Sequence, residues 1–223
     1  MAGGVPQPKR TVANRLTVVG VDVGGDRKGF HAVALTGGRY SGRLATTSVD
    51  ELVAWCRQVR GTVIAVDAPC LWSSDGRARP AERQLMEQRI WCFSTPTRQH
   101  ALDHPKNHFG WMRRGAALFQ ALERTHPLST KLPVPGRKCC FETFPHAITW
   151  HLTAGKADAS RKRSQRRALL ETAGIALAEL TNIDFVDAAL CALTAHHAAT
   201  GGECLSYGEP RTGLIIVPRN LEM

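Results

Sequence analysis

Thr17-Val-Val-Gly-Val-Asp-Val-Gly-Gly25 is the stretch on which the fold turns. Its valine-rich alternation closes on two glycines, so residues 16–24 read as a β-strand ending in a turn. Asp22 lies inside this apolar run, on the same strand face as Val18 and Gly20. A carboxylate there is costly unless it is paired, hydrogen-bonded or bound to a cation. Residues 29–35, Gly-Phe-His-Ala-Val-Ala-Leu, read as a second strand folded back on the first. Thr36-Gly-Gly38 is a further turn, and residues 39–46 read as a third strand. The chain thus opens with a three-stranded antiparallel meander.

Downstream, Ser48-Val-Asp-Glu51 fits a capping box, with Ser48 accepting from the Glu51 backbone and Glu51 reaching back. The helix that follows carries Leu52, Val53, Trp55, Cys56 and Val59 on one face and stops at Gly61. Residues 62–67 form a short apolar run ending in Asp67-Ala-Pro69, the pattern of a central strand buried on both faces. Residues 70–137 are irregular and punctuated by prolines. They read as an insertion, with helical character over Arg77–Arg89 and a helix over Gly110–Arg124. Residues 139–144 return to strand character, and Pro145 starts a short helix through Leu152. A basic run, Arg161 to Arg167, leads into a helix near Ala168–Ala173. A second helix runs from Asp184 to about Ala199 and stops at Gly201-Gly202, and Leu214–Pro218 reads as a terminal strand. The expectation is an α/β fold, in which the meander is joined by parallel strands in one mixed sheet flanked by helices. A flexible tail over residues 1–14 precedes a single domain over 15–223.

The chain has 223 residues and a formal net charge of +10, which makes a polyanion, nucleic acid above all, the expected partner. Seven cysteines, with no Cys-x-x-Cys pair and several in apolar stretches, point to reduced packing residues and a cytoplasmic protein. The spacings of a zinc site are missing. No apolar run approaches the ~18 residues that read as a membrane span, so no membrane association is expected.

Asp187 lies on the buried stripe of the late helix with Leu190, Cys191 and Thr194. Asp184, one turn earlier, suits a helix cap. If Asp22, Asp67 and Asp187 converge, they offer oxygen ligands to a hard divalent cation. Asp67 before Ala68-Pro69 also suits a turn, and an acid near a helix N-terminus also suits the helix dipole. Lys162, Arg163 and Arg167 are candidates to grip phosphates. His146, after Phe144-Pro145, is the candidate general base. Trp72, Trp91, Trp111 and Trp150 are candidates to stack on bases, with packing as the commoner role. His104 and His108 have a ligand-like spacing, but Pro105 and Asn107 argue against a helix there.

The sequence resembles the domain of unknown function 429 family, whose members are predicted nucleases of RNase H-like fold. The matching pieces are Gly20-Val-Asp-Val-Gly-Gly25, Ala65-Val-Asp-Ala-Pro69, Arg79 to Arg98, Phe141-Glu-Thr-Phe-Pro-His146, and Lys162-x4-Arg167-x2-Leu170-Glu171. Asp184-x2-Asp187-Ala-x5-Thr194-Ala195 and Gly213-Leu-Ile-Ile-Val-Pro218 complete them. The resemblance implies an RNase H-like fold and acids that bind Mg²⁺ or Mn²⁺ for phosphodiester cleavage, with two ions roughly 4 Å apart in such nucleases. Mapped onto this chain, it implies Asp22, Asp67 and Asp187, with Glu142 as the fourth acid and Asp184 as the alternative to Glu142. It also implies that some of Arg79, Arg83 and Arg89 face a scissile phosphate of DNA or RNA.

Two other classes compete. A basic nucleic-acid-binding module without catalysis would use the charge and keep the acids as fold elements. An actin-like phosphotransfer enzyme would use Gly20–Gly25 as a phosphate loop, but it needs a second glycine-flanked acid that this chain lacks.

Overall fold

The computed structural model describes residues 16–220, so the tail read over residues 1–14 lies outside the described residues. Three strands, β1 (Thr17–Val23), β2 (Phe30–Thr36) and β3 (Arg39–Thr46), form the meander. Helix α1 (Val49–Gln58) crosses to β4 (Val63–Asp67), which pairs parallel to β1. Helices α2 (Pro80–Glu87), α3 (Arg98–Asp103) and α4 (Gly110–Leu122) fill the chain between β4 and β5 (Cys139–Glu142). Then come α5 (Pro145–Leu152), α6 (Lys162–Thr172), α7 (Ile183–Ala199), β6 (Cys204–Glu209) and β7 (Gly213–Pro218). The seven strands make one mixed sheet in the order β3-β2-β1-β4-β5-β7-β6.

Strand parity divides the core. Val18, Val63, Ala65, Phe141, Val33 and Leu35 pack with residues of α5, α6 and α7 on one face. Val19, Val21, Ile64, Val66 and Cys140 pack with α1 and α4 on the other. Helix α7 lies closest to the sheet, over β1. A Cβ on Gly20 would stand 2.0 Å from the Ala192 backbone nitrogen and 2.1 Å from the Ala188 carbonyl oxygen. Only glycine admits the helix at that depth. The apolar residues of α7 cover most of its circumference, as expected for a helix sunk in the core.

Three local readings change. Ser48 does accept from the Glu51 backbone, but the Glu51 carboxylate takes the Thr46 hydroxyl rather than closing the box. Asn182, not Asp184, caps α7 by accepting from the Phe185 backbone at 2.8 Å, which leaves Asp184 free for other work. Helix α6 starts at Lys162, six residues before the expected start, because only Arg166 and Leu170 of it are buried and the charges hide its period. Strand β6 was not expected. Its Ser206, Gly208 and Glu209 dilute the apolar alternation of an edge strand. Among the described residues, no helix is long and apolar enough to cross a membrane. All seven cysteines are free.

Candidate active site

The ends of β1 and β4 bring two acids together. Asp22 and Asp67 are register partners on parallel strands, so their side chains leave the same face about 4.8 Å apart. Parity sends both towards α7, as it does their neighbours Gly20 and Ala65. Asp22 is also the register partner of His31 on β2. Helix α7 enters above them with Asp184 and Asp187 one turn apart on one side of the helix. The ligand atoms of Asp22, His31 and Asp184 all lie within 4.8 Å of one another.

The electrostatics of this group are unbalanced. Burial, then Asp187 and Asp184, push the Asp22 carboxyl up to about 8, against the pull of Lys28 and Arg166. Burial, Asp22 and Asp187 raise Asp67 well above the ordinary carboxylate range. Among the described residues, neither carboxylate takes a hydrogen bond. Asp187 is buried and bound by Arg166, Nη1 to Oδ1 at 2.5 Å, yet burial still raises it. Among the described residues, the Arg166 Nε finds no partner. Lys28, from the β1–β2 turn, donates to Asp184 at 3.0 Å from an exposed position. His31 is 9% exposed and stacks edge-on against Phe185 at 4.8 Å, with its Nδ1 unpartnered. Like charges at this proximity, with one imidazole nitrogen of His31 among them, form a donor set of two carboxylates and one nitrogen, with Asp67 alongside. Such a set suits a Mg²⁺- or Mn²⁺-class ion.

Glu142 lines the same cleft as Asp67 and helps to raise its carboxyl, but it is partnered differently. It is the register partner of Val66, one residue short of Asp67, so parity turns it to the opposite face. Both of its oxygens are engaged: Arg79 Nη2 donates to Oε1 at 2.7 Å, and Arg79 Nη1 and the Cys70 backbone donate to Oε2 at 3.0 and 2.8 Å. Arg79 also donates from Nε to Glu82 at 2.8 Å, and Glu82 receives the Thr95 backbone and hydroxyl. Burial works against the Arg79 charge, but Glu142 and Glu82 more than offset it and raise its pKa. This arginine, expected to meet a phosphate, is 3% exposed and fully enclosed.

The remaining expected residues separate as well. Arg83 is exposed and donates to the Ala78 carbonyl at 2.6 Å, away from the acids. Arg89 is exposed at the end of α2, with φ 63. Lys162 and Arg163 are exposed on α6, and Lys162 is near enough to Asp187 to lower its pKa. Arg167 donates to the Leu180 carbonyl at 3.1 Å and braces the approach to α7. His146 is half-buried beside Phe144, and burial followed by Arg166 lowers its pKa, so it is neutral near pH 7. His104 and His108 sit in an aromatic cluster around Phe109, with ring centroids 5.5 Å apart.

Two residues at the acid site have no role in the sequence reading, His31 and Arg166, while Asp184 stands there as the alternative to Glu142 for completing the acidic site. The signals were present. His31 shares strand parity with Val33 and Leu35, and Asp22 on β1 faces it across the hairpin. Arg166 falls four residues before Leu170, on the one buried stripe of α6.

Residues 20–212 match the family described as protein of unknown function (DUF429), and the chain belongs to that family. No curated protein and no solved structure matches it.

Proposed function

We propose that this DUF429 protein is a metal-dependent phosphodiester hydrolase of RNase H-like fold, acting on DNA or RNA. The observation that carries the reading is the gathering of Asp22, His31 and Asp184 within 4.8 Å of one another, with Asp67 the register partner of Asp22 on the next strand. Four acids drawn to one place, two of them without hydrogen bonds, lack a counter-charge that a divalent cation supplies. Asp22, His31 and Asp184 would hold Mg²⁺ or Mn²⁺, with Asp67, beside Asp22, at the edge of the set. A metal bound there supplies an activated water and stabilises charge on the leaving oxygen. The chain's own part is to position and to balance. Arg166 neutralises Asp187 and holds positive charge over the acids, and Lys28 does the same for Asp184 at the rim. His146, neutral near pH 7, can accept a proton on that side. The +10 net charge supports a nucleic-acid substrate, and the seven free cysteines support a cytoplasmic setting.

Purified protein should cleave DNA or RNA oligonucleotides in Mg²⁺ or Mn²⁺, lose the activity in EDTA, and lose it in Asp22→Asn. Cleavage that survives in both Asp22→Asn and Asp67→Asn sinks the reading. The second reading, a non-catalytic nucleic-acid-binding module, is favoured by the internal Arg166–Asp187 pair, which already neutralises one acid. Salt-sensitive binding without metal uptake or cleavage would select it.

A further inference from the structure

At the carboxyl end of β4, Pro69, Phe93, Trp111 and Phe144 wall a small cleft that Asp67 and the Arg79–Glu82–Glu142 group also line. Phe93 is 71% exposed, a large apolar face turned to solvent where an aromatic ring is ordinarily covered. Trp111, at the start of α4, stands edge-on to it with ring centroids 6.4 Å apart, and His108 flanks it at 6.4 Å on another side. Trp91, two residues away in sequence, is 70% exposed.

The loop that carries Phe93 is pinned. Thr95 donates its backbone N–H, at 3.0 Å, and its hydroxyl to the buried Glu82 carboxylate, and the Ser73 backbone donates to the Pro96 carbonyl at 3.1 Å. Through Arg79, the same Glu82 is tied to Glu142 at the end of β5. A continuous buried chain, Glu142–Arg79–Glu82–Thr95, therefore fixes the aromatic loop against the strand end beside Asp67. Such an anchor holds an exposed ring in place, which a solvent-averse side chain on a slack loop would not need.

The charge of the segment bears on the occupant. Between residues 89 and 114 the basic residues are Arg89, Arg98, Lys106, Arg113 and Arg114, against the single acid Asp103. Arg114 is held by Asp26 and the Thr47 carbonyl, which leaves the other four, while in the cleft itself Arg79 offsets Glu82 and Glu142. Exposed aromatic faces within a basic segment fit unpaired bases on a phosphate backbone, because bases stack on the rings while the cations follow the phosphates. In a duplex the base faces are covered by their neighbours, so this surface has nothing to stack on.

We propose that Phe93, backed by Trp111, is a base-stacking platform, and that the strand presented to the acid site is single-stranded nucleic acid. This rests on the hydrolase reading for the identity of the ligand class, and it assigns Glu142, Arg79 and Glu82 to positioning the platform rather than to the metal.

The test is a titration of the full chain, in EDTA, with fluorescently labelled 12-nucleotide single-stranded DNA, single-stranded RNA, and a duplex of the same sequence. At least one single strand should bind more tightly than the duplex, and comparison of the DNA and RNA arms shows which backbone is preferred. Phe93→Ala should weaken single-strand binding by about tenfold, Phe93→Tyr should restore it, and duplex binding should change little. Tighter binding of the duplex, or unchanged single-strand binding in Phe93→Ala, overturns the proposal. Because Phe93 is exposed, that variant should fold as wild type by circular dichroism. Metal is absent from the titration, so its outcome is independent of cleavage. Phe93-dependent strand binding with no cleavage in Mg²⁺ or Mn²⁺ leaves the platform standing and removes the hydrolase.

Discussion

Two groups of acids lie at the carboxyl ends of the central strands, one buried and one half-buried, and they are built in opposite ways. Around Arg79, Glu82 and Glu142 share one guanidinium, and both Glu142 oxygens accept hydrogen bonds. Around Asp22, the acids Asp67, Asp184 and Asp187 crowd one another, with Arg166, Lys28 and the more distant Lys162 in partial compensation. The first group is saturated and reads as structure. The second is short of positive charge and reads as a site. One residue of strand parity separates them, since Asp67 and Glu142 differ by a single register step. Buried carboxylates are thus informative about function only after their partners are counted.

The largest effect should come from breaking the saturated group. Arg79→Ala leaves two buried carboxylates uncompensated and should cost about 3–5 kcal/mol in urea unfolding. It should also loosen the Phe93 loop, visible as faster proteolysis between residues 88 and 98. A cost below about 1 kcal/mol would mean the triad is not the brace described.

Next is the packing that lowers α7 onto the acids. Gly20→Ala places a methyl group against the α7 backbone and should destabilise by about 1–3 kcal/mol. Metal-induced thermal stabilisation should weaken in the same variant, because Asp184 is lifted with the helix. A stable variant that keeps full metal response would dissociate the two.

The unsaturated group should respond with the opposite sign. Asp67→Asn removes a like charge beside Asp22 and should raise the melting temperature of the metal-free protein at pH 8. The pH dependence follows from the same crowding. Folding raises the Asp22 carboxyl from 3.8 to about 8, so over that interval the folded chain holds a proton that the unfolded chain has lost. Asp22 therefore makes the metal-free protein less stable as pH rises from about 4 to about 8, and Asp22→Asn should flatten that decline. Divalent metal takes the place of the proton, so the melting-temperature gain from Mn²⁺ should grow over the same window. The smallest effect is expected of Lys28→Ala, where an exposed pair with Asp184 is worth about 0–1 kcal/mol.

The sequence carried the meander, the crossover helix and the central strand because their signals are local: valine alternation, a Ser48 cap, and glycine stops. It also placed Asp22, Asp67 and Asp187 on elements that converge. Glu142 defeated it for a tertiary reason. Whether residue 141 or 142 of β5 faces α7 depends on the pairing register with β4, and an acid in Cys-Cys-Phe-Glu reads the same on either face. Arg79 defeated it because a buried arginine and an exposed one look alike in a charge-rich segment. Asp184 stays open between a cap and a fourth site acid in sequence, because Asn182, the actual cap, is as good by type. His31 lacked a local signal and became informative only once β2 was paired with β1.

The central claim is that the Asp22 group, and not the Glu142 group, holds the divalent metal. Anomalous diffraction from crystals grown with Mn²⁺ tests it most directly. The account predicts a peak bounded by Asp22, His31 and Asp184, next to Asp67. A peak on the Glu142 carboxylate, or none at the Asp22 group with Mn²⁺ in excess, would contradict it.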